Sequence, residues 1–190
     1  MKKLLLAFVF IASTAIANAQ AFKNGDQIVG ATIGLGSVLY SGSGYTSSVP
    51  PLSFTYEKGV KDGIFDKGVL SIGGYFGYTS ASWEYNYGYG SYGWKYSSLI
   101  LGVRGILHYQ LISNNKLDTY AGVMLGYNVV TATATGTAST LYGNTTSASA
   151  SGIIFPFFVG ARYYFTDQIS ANAELGYGIA YLNLGLGYKF

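Results

Sequence analysis

The last nine residues alternate strictly between large apolar side chains and small or polar ones. The apolar positions are Leu182, Leu184, Leu186, Tyr188 and Phe190, and Asn183, Gly185, Gly187 and Lys189 lie between them. Because successive side chains of a β-strand point to opposite faces, this period of two predicts a strand with one large apolar face and one small or polar face. A fold that contains this strand must shield its apolar face from water.

The same alternation recurs along the chain and predicts eight strands. They run roughly over 27–39, 50–58, 68–89, 92–111, 117–138, 151–166, 168–179 and 182–190. Short polar links at 61–63, 113–115 and 166–168 alternate with longer links rich in Gly, Ser, Thr and Tyr. Short turns at one end and long loops at the other are typical of a small membrane barrel. We therefore predict an all-β fold, an eight-stranded antiparallel up-and-down β-barrel.

The first nineteen residues have the three parts of a secretory signal peptide. Lys2 and Lys3 precede an apolar run at 4–12, and Ala17-Asn18-Ala19 ends the segment. This pattern predicts cleavage after Ala19, with an amino-terminal membrane anchor as the alternative. We predict a signal peptide at 1–19 and a barrel domain at 20–190. Removing Lys2 and Lys3 from the 11 basic residues leaves 9 against 8 acidic ones, a balance that gives no electrostatic case for binding nucleic acid.

The placement of charges separates a membrane barrel from a soluble one. Charged residues make up 10% of the chain, against roughly 25% in an average soluble domain. Within the predicted strands, Arg104, Arg162, Glu174 and Lys189 share the face that carries Gly and Asn. A membrane barrel turns its apolar face outward, whereas a lipocalin-type barrel turns it inward and needs charges outside. We therefore predict a transmembrane barrel with a lipid-facing exterior.

The carboxyl-terminal strands resemble those of a known family. The terminal Gly187-Tyr188-Lys189-Phe190, the stretch 160–167 and the stretch 173–178 resemble the late strands of the small outer-membrane β-barrel family, the OmpX and OmpA-barrel class of porin-family type. This resemblance implies a location in the outer membrane of a Gram-negative envelope. It also implies that Phe190 is recognised by the barrel-assembly machinery and that both termini lie in the periplasm.

The charged residues of the predicted lumen suggest an ion-pair network. Arg162 and Glu174 become diagonal neighbours if 166–168 is a tight turn, and Glu174 and Lys189 are predicted to lie diagonally across the last two strands. Arg104 completes the predicted set. Paired interior charges are tolerated where isolated ones are costly. The network either fills the barrel as a structural element or lines a narrow pore, and the sequence leaves both alternatives open.

One long hairpin, 69–89 with 92–109, is predicted to rise well above the bilayer. Gly90-Ser91 fits a two-residue turn with Gly at its first position. This turn would pair Tyr89 with Tyr92, Tyr87 with Trp94, Tyr85 with Tyr96, Tyr78 with Val103 and Phe76 with Gly105. Glu84 and Lys95 would then be diagonal neighbours on the outer side.

The inward side of this hairpin extension is predicted to be aromatic. Its residues are Trp83, Tyr85, Tyr87, Tyr89, Tyr92, Trp94 and Tyr96. The rings either stiffen the hairpin through cross-strand pairs or form a contact surface for a sugar, a peptide or a partner protein.

Two further hairpins complete the predicted outline of the wall. Thr131, Thr133, Thr135 and Thr137 alternate with small residues, so their hydroxyls are predicted to face outward; the turn of this hairpin is placed at 142–144. In the last hairpin, Ala180-Tyr181 is predicted to form the turn. The wall should thus be tall at strands 3 to 6 and low at strands 7 and 8.

Catalytic chemistry is not predicted. The single histidine, His108, is expected to face inward opposite Tyr120, and its neighbours Tyr109 and Gln110 supply neither a nucleophile nor an orienting acid. The letters of 88–93 match a dinucleotide fingerprint, but no helix follows them. Carboxylates are too scattered for a metal site. We expect neither a metal nor a cofactor.

These features together predict an integral outer-membrane barrel with a structural or surface-interaction role and no catalysis. The expected partners are outer-membrane lipid, the assembly machinery at Phe190, and an extracellular ligand or protein at the 83–96 hairpin. A narrow passive porin is the main alternative, and a lipid-modifying enzyme is a further one.

Overall fold

The computed structural model describes residues 21–40, 44–88, 90–112, 114–136, 146–147 and 151–190. The predicted signal peptide and the predicted turn at 142–144 lie outside these residues. The described strands are β1 (Gln27–Ser37), β2 (Thr46–Ile64), β3 (Gly68–Tyr87), β4 (Gly90–His108), β5 (Leu117–Gly136), β6 (Thr146–Ser147), β7 (Gly152–Ile154), β8 (Phe157–Tyr164), β9 (Ile169–Tyr177) and β10 (Ala180–Lys189). None of the described residues belongs to a helix long and apolar enough to span a membrane.

The ten segments form the eight strands of one closed barrel. The short segments β6, β7 and β8 all pair with β5, so they occupy one strand position between β5 and β9. The neighbours run β4-β3-β2-β1-β10-β9-β8-β5, and β5 pairs with β4 to close the ring. Every pairing is antiparallel. The predicted eight-stranded antiparallel barrel is confirmed.

The outside of the barrel is apolar and the charges face inward. Val123, Phe54 and Leu186 have 64%, 59% and 60% of their surface exposed, whereas Arg104 and Arg162 are buried. The polarity predicted from the alternation is therefore confirmed. Closure matters for such a surface because a membrane supplies no hydrogen bonds to an open sheet edge.

The β3–β4 hairpin forms, but its register differs from the predicted one. Tyr87 lies opposite Gly90, so the chain reverses between these two residues rather than at Gly90-Ser91. Tyr85 consequently pairs with Tyr92 instead of Tyr96, a shift of four residues. The same shift replaces three further predicted pairs with Trp83–Trp94, Tyr78–Leu99 and Phe76–Leu101.

The sequence could not distinguish these two registers. A shift of four keeps every side chain on the same face, so the alternation is satisfied equally by both. Glycine is available as the first turn residue in each case, and Gly88 takes a backbone φ of 41° that favours glycine. The pairings of β3 with β2 and of β4 with β5 select between them.

The last hairpin shows the same kind of error. β9 ends at Tyr177 and β10 begins at Ala180, so Gly178 and Ile179 form the connection instead of Ala180-Tyr181. Leu182 lies opposite Leu175. Although Ile179 lies in this turn, its side chain is buried.

The height of the wall is uneven, and β2 belongs to its tall part. β3, β4 and β5 have 20, 19 and 20 residues, against 9 and 10 in β9 and β10. β2 has 19 residues and includes the predicted link 61–63. The loop after it is instead at 65–67, where Phe65 and Asp66 adopt left-handed backbone with φ of 50° and 72°. The tall wall therefore includes β2 as well as β3 to β5, and at the sixth strand position β6 still pairs with β5 at Ala132 and Thr133.

Replacing Val123 by Arg tests the outward apolar face. Val123 is near the middle of this face, so the substitution is expected to lower the free energy of unfolding in lipid by about 2–4 kcal/mol. Urea titration of the barrel folded into phospholipid vesicles measures this change, and Val123→Leu is the matched control. Equal stability of the two variants would contradict a lipid-facing exterior.

Candidate functional site

The lumen brings together charged side chains from five strands. Glu57 on β2, Arg104 on β4, Asp118 on β5, Arg162 on β8 and Glu174 on β9 all point inward, and the first four are buried. Each lies on the strand face shared by small or polar residues, as the alternation requires. Unpaired charges at this depth would be strongly destabilising, so their pairing determines how the lumen is built.

Arg162 joins β8 to β2 across the lumen and to its neighbouring strand β5, where Asp118 lies directly opposite it. Its Nη1 donates to Glu57 Oε1 at 2.6 Å and lies 3.4 Å from Asp118 Oδ2. Its guanidinium also lies 5.2 Å from the ring centroid of Tyr120. Arg162 and Glu174 occupy diagonal positions, as predicted, but the expected ion pair between them is wrong: Arg162 pairs with Glu57 and Asp118 instead.

A second ion pair crosses the lumen at the next level. Arg104 Nη2 donates to Glu174 Oε2 at 2.5 Å. The guanidinium of Arg104 lies 3.7 Å from the ring centroid of Phe158 and 5.8 Å from that of Tyr75. This arrangement neutralises the charge of Glu174 and covers the cation with aromatic rings.

Lys189 lies elsewhere, at the end of the barrel that holds the chain termini. Glu174 is opposite Asn183, so the predicted diagonal between Glu174 and Lys189 is wrong. Lys189 Nζ instead donates to the carbonyl of Ala21 at 3.1 Å and lies 3.5 Å from Asp26. It therefore ties the amino-terminal segment to the last strand.

His108 lies in a hydrogen-bonded chain that the sequence analysis missed. It faces Tyr120 across β4 and β5, as predicted. Its Nδ1 is 2.9 Å from Asp118 Oδ2, and its Nε2 is 3.0 Å from the hydroxyl of Ser71. The expectation that His108 has no hydroxyl or acid nearby is therefore wrong. Both partners come from other strands, 37 and 10 residues away in sequence.

The order serine, histidine, aspartate is that of a nucleophile activated by a base. Here all three side chains are buried, and the ring of Phe22 stacks on His108 with centroids 4.0 Å apart. Phe22 is itself fully buried. With all three side chains buried and Phe22 stacked on His108, this geometry supports a packing role.

Apolar clusters close the lumen on both sides of the charges. At the terminal end, Phe22 packs with Ala21, Ile28, Val69 and Tyr164. At the opposite end, which we call the hairpin end, the side chain of Ile179 packs with those of Ile100, Met124 and Ala180.

Little space remains between these clusters. The two cavities that border the Arg104–Glu174 pair have volumes of about 20 and 10 Å³. A water molecule needs roughly 10–15 Å³ measured in this way. At this level side chains therefore leave room for no more than about one water molecule in each cavity.

Glu57, Asp118, Ser71, Phe22 and Ile179 are the lumen residues that sequence reasoning missed. A usable signal existed for two of them, since Glu57 and Asp118 have the inward parity of their strands. Both lie near the predicted strand ends, where the analysis gave charges no role. Phe22 lies before the first strand, where alternation makes no prediction. Ile179 is the last residue of the predicted strand 168–179, but in the structure it lies in the connection between β9 and β10.

The aromatic hairpin extension has the predicted inward parity. Trp83 and Trp94 are directly opposite, as are Tyr85 and Tyr92. The ring of Tyr92 lies edge-on to both tryptophans, with centroids 6.3 Å from Trp83 and 6.5 Å from Trp94. The indole N–H of Trp94 donates to the Tyr92 hydroxyl at 2.8 Å. Tyr85 and Tyr92 are 61% and 38% exposed.

The rest of the hairpin agrees with the predicted facing. Glu84 lies opposite Gly93, diagonal to Lys95 on the outer side. Thr131, Thr133 and Thr135 have the outward parity of β5, while Ala132 and Ala134 are buried on the inner side. The side chains of Tyr87 and Tyr89 lie outside the described part of the structure, as does Thr137.

A second aromatic group combines two residues of the loop between β1 and β2 with one residue of the hairpin. The rings of Tyr40, Tyr45 and Tyr96 lie 6.1–6.2 Å apart, centroid to centroid. The Tyr40 hydroxyl is 2.9 Å from that of Ser98. Sequence analysis did not foresee this group, because Tyr40 and Tyr45 lie some fifty residues before their partner.

Removing Arg162 tests how much the lumen network stabilises the barrel. Arg162→Ala leaves Glu57 and Asp118 without their shared cation, so the free energy of unfolding is expected to fall by about 3–5 kcal/mol. Lys95→Ala, on the solvent side of the hairpin, is the control and should cost less than about 1 kcal/mol. Denaturant titration in vesicles compares the two; an equal, small loss would contradict the role assigned to Arg162.

Comparison with known proteins relates the fold to solved structures. No family model matches the chain, and no curated protein sequence matches it significantly. The outer membrane protein OprG of Pseudomonas aeruginosa aligns with 91% of this chain and 98% of its own, at a TM-score of 0.52 and 11% identity.

Ail, the attachment invasion locus protein of Yersinia pestis, crystallised with the heparin analogue sucrose octasulfate, aligns over 88% of this chain and 100% of its own. The TM-score is 0.50 and the identity 13%. Identities this low indicate a shared fold. The chain therefore has the closed, eight-stranded, antiparallel fold of small outer-membrane β-barrel proteins, as its resemblance to that class implied.

Proposed function

We propose that this protein is an integral outer-membrane barrel that acts at the cell surface through its raised aromatic hairpin and has no catalytic role. The observation that carries the proposal is the uneven wall. The barrel body is closed and filled, while β2 to β5 continue beyond it and carry Trp and Tyr rings on one face. In this proposal the body is the anchor and the extension is the working part.

The outer-membrane location rests on the exterior and on the fold. The outward side chains are apolar around the barrel, and the inward charges are paired. The predicted signal peptide at 1–19 would deliver the chain to the envelope. Phe190 is 58% exposed, so its ring is available to the assembly machinery, while its backbone N–H donates to the carbonyl of Gln27 at 3.0 Å.

The orientation follows from the two ends of the barrel. Gln27 and Phe190 meet at the end opposite the β3–β4 extension, and we assign this terminal end to the periplasm. The aromatic extension then lies outside the cell. Ser71, His108 and Asp118 are at the periplasmic end under Phe22, where we assign them the packing role described above.

The surface-interaction role is tested by removing the rings. The triple variant Tyr85→Ser, Tyr87→Ser, Trp94→Ser is expected to reduce adhesion of cells or vesicles that display the protein, because the contact area of the rings is lost. The barrel should still assemble, since these three positions lie near the tip of the β3–β4 hairpin. Outer replacements Glu84→Gln and Lys95→Gln serve as the control. Adhesion that is unaltered in the triple variant would refute the role.

A narrow passive pore is the alternative, and the charged lumen is the observation in its favour. The filled cross-section at Arg104 and Glu174 favours the anchor instead, so the protein in planar bilayers is expected to give no reproducible open channel. A stable conductance that Arg162→Ala or Glu174→Ala changes would instead support the pore.

A further inference from the structure

The aromatic residues of the extension belong to one continuous face. Tyr40, Tyr45 and Tyr96 form its base, and Trp83, Tyr92 and Trp94 form its upper part. Gly44 joins the two, since a Cβ at this position would lie 3.3 Å from the Trp83 indole. We call these six aromatic residues, together with Tyr85, the aromatic platform.

Small side chains leave room for these rings on the sheet. The register places Tyr96 between Ala81 on β3 and Ala132 on β5, and both alanines are buried. Trp94 similarly lies beside the buried Ala134. Large rings next to small neighbours can lie along a sheet rather than stand away from it, which creates a broad, shallow surface.

The platform also rises above the low side of the barrel. The side chain of Ile179, in the β9–β10 turn, packs against β3 at Gly77, where a Cβ would lie 3.2 Å from its Cδ1. β3 continues for ten more residues, to Tyr87. At about 3.3 Å per residue, this leaves roughly 30 Å of strand above the turn.

The charges on this hairpin lie on the opposite face. Between residues 81 and 98 the chain has one acidic and one basic residue, Glu84 and Lys95. Both have outward parity, so this hairpin adds rings, hydroxyls and indole N–H groups to the platform but no ionic group. A sulfated or phosphorylated ligand would require Lys or Arg partners here.

We propose that the aromatic platform binds a neutral oligosaccharide. Flat rings stack on the C–H faces of sugar rings, while phenol and indole groups at the ring edges exchange hydrogen bonds with sugar hydroxyls. The platform residues that come from the hairpin carry no charge, and this favours an uncharged ligand. This inference rests on the proposed surface role and specifies the ligand class.

The composition of the chain offers a direct readout. Its only two tryptophans are Trp83 and Trp94, and both belong to the platform. Tryptophan fluorescence of the full-length protein in detergent micelles, excited at a wavelength that tyrosine does not absorb, therefore reports on this surface alone. Titration with neutral hexasaccharides of glucose, galactose and mannose is expected to give a saturable change in emission with at least one of them. Dextran sulfate should give none.

Substitutions then assign the response to the platform. Tyr96→Ser and Tyr92→Ser should each weaken binding at least tenfold, and Tyr92→Phe, which keeps the ring, should lose less than Tyr92→Ser. Glu84→Gln and Lys95→Gln, on the outer face of the same hairpin, should stay within twofold of the unchanged protein. Heat-dependent gel migration verifies that each variant is folded.

The outcomes separate this inference from the surface role on which it rests. If no neutral hexasaccharide changes the emission, or if dextran sulfate binds instead, the inference is wrong. Should the triple variant at 85, 87 and 94 still lose adhesion in that case, the surface role stands and its ligand is of another class. If adhesion is unaltered in that variant, the surface role fails as well.

Discussion

The contact of Arg162 with Glu57 and Asp118 is the interaction on which the interior of this barrel depends. It ties β8 to β2 across the lumen through Glu57, 105 positions away in the chain, and to the neighbouring strand β5 through Asp118, 44 positions away. In an interior with little water, each of these charges would be costly alone. The ion pair of Arg104 with Glu174 and the hydrogen bonds of His108 extend this network along the axis. The closed backbone ring supplies the frame, and the network fills it.

A filled interior explains how the molecule divides its work. Phe22 at one end and Ile179 at the other cover the charged layer with apolar contacts. The barrel body is thereby rigid, and its charged and hydrogen-bonding side chains contact one another inside the lumen. The side chains available to other molecules lie on the extension of β2 to β5, where the wall continues beyond the low β9–β10 hairpin. The proposed surface role rests on this arrangement of a rigid body below and an exposed aromatic sheet above.

The differences between the predicted and the observed structure concern the pairing of residues rather than the face on which each side chain lies. Both misplaced hairpins, at Gly90-Ser91 and at Ala180-Tyr181, were wrong by a register shift of four residues. An even shift leaves each side chain on the same face of the sheet. Inward and outward residues were therefore assigned correctly, although the residues paired across each hairpin were wrong. The same is true of the lumen charges. Arg104, Arg162 and Glu174 face inward as predicted, but the expected pairs Arg162–Glu174 and Glu174–Lys189 do not form. Lys189 belongs to the terminal rim, and the Ser71–His108–Asp118 chain was missed because its members lie far apart in sequence.

The sequence by itself determined which face of each strand meets lipid and which meets the lumen, and hence the class of fold. Alternation is local, because every peptide unit reverses the direction of the side chain. Tertiary structure alone decided which residues form each turn, which carboxylates pair with Arg162, and which rings contact Tyr96. These choices depend on the stagger between neighbouring strands and on closure of the ring. A pattern of period two is unchanged by an even shift, so only the pairing of all eight strands at once can fix them.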